Sequence, residues 1–326
     1  MLSLIKLIKK DLYRIQIPLP DTPLKATNNY LILGKERNLW IDTAFNCQVS
    51  KDAMDQAIQE LKVDMERTDI FITHKHFDHT GLVYHIASPQ SRIYCSDVEG
   101  EYFTNFNKAS NMELHHFLKY QGKEILEDIQ RDQQPAMKFE RIDNEFHFLS
   151  DGDVLRVGNY HLKCLLTPGH TQGHMCLYDE DKKMLFSGDH ILGNITPNIT
   201  LWKPQENVLE DYMNSLLKVK NLDIEMVLPG HRAILTNIHE RVDEIIAHHE
   251  WRLKEAYSHV TDVPQTAYRI AQALTWDLNV RKWEEFPRAQ KTFATGETFS
   301  HLYYLVRQGR IKYKMDENNT VLFYRN

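Results

Sequence analysis

The sequence predicts an α/β fold with a smaller second domain, and three observations carry that expectation. Its 326 residues exceed what one hydrophobic core usually serves. Through most of the first two thirds, short apolar runs alternate with segments of helical period, as in layered α/β proteins. Four of those runs also stop abruptly and present His or Asp at their ends, which is where a sheet mounts reactive side chains.

The chain order bears this out. Leu12–Ile17, Asn29–Leu33 and Asn38–Asp42 are apolar runs separated by Pro18, Pro20, Pro23 and a Gly34–Arg37 turn, so they read as a β-meander. Ser50 looks like the N-cap of a helix through about Leu61, with Ala53, Met54, Ala57, Ile58 and Leu61 on one face. Asp69–Ile72 is then a short buried strand. It leads directly into Thr73-His74-Lys75-His76-Phe77-Asp78-His79-Thr80-Gly81. Three imidazoles and a carboxylate within six residues suit a divalent transition metal, because calcium and magnesium sites are normally built from oxygen alone.

Leu82–Ala87 reads as helical and Arg92–Cys95 as another strand. Residues 96–140 are rich in charge, amides and aromatics, Tyr102, Phe103 and Tyr120 among them, with no convincing strand. We read them as a helical insertion over the site, the alternative being an ordinary solvated helix pair. Strands resume at Glu145–Leu149, Asp153–Val157 and His161–Thr167, and the last ends in Pro168-Gly169-His170. A second meander, Met175–Tyr178 and Met184–Phe186, ends in Ser187-Gly188-Asp189-His190. After a helix at 206–219, Met226–Leu228 ends in Pro229-Gly230-His231. His74, His76, Asp78, His79, His170, Asp189 and His231 thus form a set of seven donors, enough for two metals with Asp189 available to bridge.

H-x-H-x-D-H followed by T-P-G-H-T, S-G-D and P-G-H resembles the metallo-β-lactamase superfamily over residues 10–235. The resemblance implies a four-layer αββα sandwich with a dinuclear site on one rim. It assigns His74, His76 and His170 to the first metal, Asp78, His79 and His231 to the second, and Asp189 to the bridge. Two Zn2+ ions are expected, with iron or manganese as alternatives; His76 stands where the di-iron flavoprotein branch resembles H-x-E-x-D-H, which favours zinc. Asp78 is expected to orient a water and shuttle its proton. His190 is a candidate substrate contact or a support for the ligands, and Trp202 a candidate pocket wall or core residue. Retention of Asp78 and His79 argues against antibiotic hydrolysis, and the short Asp189–His231 spacing leaves no room for the β-CASP domain of related nucleases.

Residues 1–236 are therefore expected to form the hydrolase-type domain and 237–326 a long linking helix followed by a winged helix. The long helix, 237–260, has an apolar stripe; its His239, His248 and His249 are read as solvated. Helical segments follow at 265–276 and 287–308, the latter with a break near Gly296, and then a hairpin of Arg310–Met315 and Thr320–Tyr324. Residues 281–326 hold nine Lys or Arg against five acids, so the wing could track phosphates, but a packing module or dimer contact is preferred.

The formal net charge of −6 gives no global pull toward nucleic acid. Cys47, Cys95, Cys164 and Cys176 are widely spaced and read as reduced core residues. No secretory h-region and no apolar run of membrane-spanning length appear, so a cytoplasmic location away from membranes is expected. The expected function is hydrolysis of a small ester, thioester or lactone. The alternatives are a single-strand endoribonuclease, an iron-dependent persulfide dioxygenase, and a winged-helix regulator without activity.

Overall fold

The computed structural model describes residues 4–20, 22–104, 120–121, 125, 146–201, 206–277 and 282–325. Trp202 and most of the expected 96–140 insertion lie outside them. The chain divides into two compact units, Met1–Thr104 with Ala136–Pro197 and Ser215–Val242, and Asn105–Pro135 with Asn198–Asn214 and Asp243–Asn326.

The first unit is built on two sheets. One is seven-stranded and runs β1 (Ile5–Lys9), β2 (Leu12–Pro18), β3 (Ala26–Ile32), β4 (Asn38–Ile41), β5 (Thr68–Phe71), β6 (Ile93–Ser96) and β7 (Phe146–Leu149), in that spatial order. Helix α1 (Gln48–Glu60) crosses between β4 and β5, and the short helices α2 (Phe77–Thr80) and α3 (Val83–Ile86) between β5 and β6. These crossovers make β4 to β7 parallel, whereas β1 to β4 form an antiparallel meander. Helix α4 (Asp97–Thr104) follows β6. The second sheet comprises β8 (Val154–Val157), β9 (Tyr160–Leu166), β10 (Met175–Asp179), β11 (Met184–Gly188) and β12 (Met226–Pro229), antiparallel except for the β11–β12 pair, which helix α5 (Val208–Lys220) connects.

The inner core joins the sheets: Tyr30, Ile32, Leu39, Ile41 and Phe71 meet Leu162, Cys164, Met175, Leu177 and Phe186. The other face of the large sheet, through Ile15, Ile17, Leu31, Trp40 and Ile70, packs on Ala53, Met54 and Ala57 of α1. Burial on both faces explains why these strands read as continuous apolar runs rather than alternating ones. The αββα sandwich expected from the resemblance is the observed architecture of this unit.

Three local readings are corrected. Strand β1 is an additional edge strand that Lys6 and Lys9 concealed; an edge tolerates such residues, and Leu7 there is largely exposed. Helix α1 starts before Ser50, with Cys47 at its N-cap position, and buried Ser50 instead donates from Oγ to the Pro18 carbonyl at 2.7 Å. The 288–307 helix runs through Gly296 without a break.

The long helix α6 spans Ile238–His259. In the second unit, α7 (Ala267–Ala271) and α8 (Arg288–Arg307) are followed by a hairpin of β13 (Lys312–Met315) and β14 (Val321–Tyr324). Tyr268, Ala271, Trp283, Phe286 and Ala294 form its core with Ile125. Gln265 and Phe323 exchange backbone hydrogen bonds, which adds a third chain segment to the hairpin. The four cysteines are free, with Cys95, Cys164 and Cys176 buried as expected. No helix among the described residues is long and apolar enough to cross a membrane.

Candidate metal centre

Parallel strands deliver their C-terminal ends to one edge of a sheet, and both sheets use this. Asp42 follows β4, the His74–His79 run follows β5, Asp189 follows β11 and His231 follows β12. Hydrogen bonds lock the two edges together. The Asn28 amide nitrogen donates to the Gly230 carbonyl at 2.6 Å, its side chain to the Pro229 carbonyl at 2.9 Å, and the Met175 N–H to the Thr73 carbonyl at 2.9 Å.

Seven sequence-selected donors converge there. Ligand atoms of three groups lie within 4.8 Å of one another: His74, His76 and His170; His74, His79 and Asp189; Asp78, His79 and His231. The Asp189 carboxylate faces both sides. Its Oδ1 is 3.4 Å from His79 Nε2, and its Oδ2 is 3.4 Å from His231 Nε2 and 3.7 Å from His170 Nε2. Asp78 Oδ2 lies 3.3 Å from His231 Nε2.

Proton positions show what the cluster suits. His79 Nδ1 lies 2.8 Å from Asp42 Oδ2, and His231 Nδ1 lies 2.8 Å from the Ala26 carbonyl oxygen. Both partners only accept, so each Nδ1 carries the proton and, in the neutral ring, each Nε2 presents a lone pair. Those two lone-pair atoms face each other at 3.3 Å. Thr73 Oγ1 donates to Asp42 Oδ2 at 2.8 Å and thereby accepts from His74 Nδ1 at 3.0 Å, which leaves His74 Nε2 bare and 3.0 Å from His76 Nδ1. Converging nitrogen lone pairs beside two carboxylates fit divalent transition ions by donor chemistry.

The electrostatics agree. Burial pulls the His231 imidazole down, but Asp189 and Asp78 override it and raise it to about 10; His79 is raised well above its usual range by Asp189, Asp42 and Asp78 against the same burial. Burial pushes Asp78 up, yet His79 and His231 bring it to about 2. The acids that hold protons on these rings are the ones that would hold cations. On the other side of the cluster, burial and then the charge of His170 lower His76 to about 3.

Glycine is required at two positions. A Cβ on Gly230 would stand 2.5 Å from Asp189 Oδ1 and 2.7 Å from His79 Cε1. Gly188, at φ +47°, would place one 2.7 Å from His174 Nε2.

Not every expected residue joins the cluster. His190 is fully buried, and burial lowers its imidazole to about 3. Phe103 stacks on Phe146 at 5.2 Å and packs against the core of the large sheet. Tyr102 carries the Lys75 ammonium 4.8 Å from its ring centroid.

Asp42, His174 and Glu99 escaped the sequence reading. Asp42 orients two site histidines from a left-handed backbone at φ +57°. The pattern that found the other donors, an apolar strand ending in His or Asp, fits Asn38–Asp42 equally well. Buried His174 accepts the Asp189 amide at 3.1 Å on Nε2 while Nδ1 donates to Thr167 Oγ1 at 2.8 Å, so it fixes the bridge candidate. Glu99 is buried and pushed up to about 7 by that burial.

Comparison with known proteins gives the family. A profile described as the metallo-beta-lactamase superfamily matches residues 22–231. The beta-lactamase-like protein 2 homolog of Caenorhabditis elegans is 30% identical over 241 residues, covering 71% of this chain and 64%, under two thirds, of its own length. The acyl-coenzyme A thioesterase MBLAC2 of Homo sapiens is 28% identical, with 63% of this chain and 72% of that one covered. A crystal structure of a metallo-beta-lactamase family protein from Thermus thermophilus superposes with a TM-score of 0.78 at 26% identity, covering 98% of this chain and 99% of that one. With the strand-end donors and the two-sheet sandwich in place, the profile match shows that the chain belongs to the metallo-beta-lactamase superfamily.

Proposed function

We propose that the protein is a dinuclear zinc-dependent hydrolase of small thioesters, with esters and lactones within its range. The observation that carries this reading is Asp189, whose two oxygens face histidines of both triads. His74, His76 and His170 would hold one ion, Asp78, His79 and His231 the other, and Asp189 would bridge. When bound, such ions supply Lewis acidity toward a carbonyl oxygen and lower the pKa of water toward neutrality.

The chain's own groups do the rest. Asp42 holds His74, through Thr73, and His79 in the tautomers that present Nε2, and His174 holds the Asp189 main chain. Asp78 is the more exposed of the two acids, so it is placed to orient the attacking water and take its proton. The thioester preference is supported by the human relative, which is named as an acyl-coenzyme A thioesterase. The arrangement of α7, α8, the Gln265 segment and the β13–β14 hairpin supports a winged helix within residues 237–326, which we keep as part of the proposal.

A hydrolysis screen on metal-replete protein, pairing acyl-coenzyme A thioesters, lactones and aryl esters with single-stranded RNA, tests this. Thioester turnover that a chelator abolishes is expected. RNA cleavage at physiological salt without thioester turnover would overturn it.

A further inference from the structure

A cavity of about 230 Å³ lies in the second unit, with His249 in its lining. It goes beyond the hydrolase reading and does not depend on it. His249 belongs to α6, which carries Leu253 one helical turn on, and its side chain is fully buried.

A relay fixes its state. His301 Nδ1 donates to the Glu297 carbonyl at 2.7 Å, which leaves His301 Nε2 as an acceptor. His249 Nδ1, 3.1 Å away, must therefore be the donor to it. The remaining nitrogen, His249 Nε2, is a buried acceptor with no hydrogen-bond partner among the described residues. Burial and then the neighbouring His301, His248 and Arg252 keep the ring neutral, so protonation does not satisfy that atom. Buried acceptors in folded proteins are nearly always served by a donor.

The rest of the lining describes what could bring one. Leu209, Met213 and Leu253 make the wall apolar. Lys254 and Arg310 are exposed at the mouth with Glu250, an excess of one positive charge. The Arg310 guanidinium sits 4.6 Å from the Tyr257 ring centroid and is held in place by it. At roughly 30 Å³ per water the space equals about eight waters, enough for a short organic acid.

We propose that this cavity is a binding site for a short amphiphilic carboxylate: the acid group at Arg310 and Lys254, an apolar body along Leu209, Met213 and Leu253, and a terminal hydroxyl donating to His249 Nε2. The amide of an acylated amino acid would satisfy the same chemistry.

Calorimetry with ω-hydroxyhexanoate and hexanoate tests it without turnover. The hydroxy acid is expected to bind roughly tenfold more tightly, since satisfying a buried acceptor contributes about 1.4 kcal/mol. His249→Phe should erase that difference, and Arg310→Ala, at an exposed position, should weaken both acids alike. Where His249→Phe does not fold, nitrogen NMR of the histidine rings decides: the His249 Nε2 resonance should move on saturation with the hydroxy acid and stay in place with hexanoate. Equal affinity for the two acids, no binding of either, or an unmoved Nε2 resonance would overturn the proposal.

Discussion

Two buried histidine sets in this chain have the same side chains and opposite surroundings. At the strand ends, His79 and His231 lie beside Asp42, Asp78 and Asp189, and their imidazoles are raised. In the second unit, His249 and His301 have Arg252 as a nearby charge, and burial lowers both, His301 to about 3. The first set gathers its Nε2 atoms beside carboxylates; the second is a neutral relay that ends on one acceptor unserved among the described residues. Histidine burial alone therefore says nothing of metal. The accompanying carboxylates decide it.

The largest expected effect breaks the first set. His76→Ala or Asp189→Ala should bring thioester hydrolysis to background while circular dichroism shows the fold kept, because the core is made by the sheets and not by the rim. Near-full activity in either variant would remove the ligand assignment.

Asp42→Asn tests whether the carboxylate behind the histidines matters as much as those in front. Its amide can donate where the carboxylate only accepts, so the His79 tautomer is no longer fixed, and metal affinity should fall roughly 10–100-fold in a chelator competition.

Glu99 extends the comparison to a buried acid held against its charge. Its folded pKa, raised from 4.5 to about 7, means that stability is fully present below 4.5 and is lost as pH rises through 7. The loss amounts to about 3 kcal/mol. Glu99→Gln should flatten the fall in Tm between pH 5 and 8, each pH at roughly constant ionic strength; an unchanged slope would rule out Glu99 as its source. At the small end, His249→Phe should leave metal content unchanged, since its relay contains no carboxylate.

What the sequence made legible follows from how each feature is encoded. Four of the seven donors stand out as the dense His74–His79 run after one apolar strand, and the other three, His170, Asp189 and His231, because apolar runs end in Pro-Gly or Ser-Gly just before them. Asp42 was hidden by having no histidine near it in sequence, although it lies 2.8 Å from one in space. Ser50 looked like a cap because its type suits one, but the strand beneath claimed its hydroxyl. A polar side chain on an amphipathic helix suggests solvent, whereas the spacing of His249 from Ile245 and Leu253 places it on the buried face. His190 shows a related limit, because adjacency to Asp189 along the chain does not reveal that its ring is fully buried.

Metal analysis of the purified protein by mass spectrometry asks whether Asp189 and six strand-end donors hold two divalent ions. Close to two metals per chain, mainly zinc, are expected, with the content falling in Asp189→Ala. A single iron per chain, or a zinc content unaffected by Asp189→Ala, would contradict this.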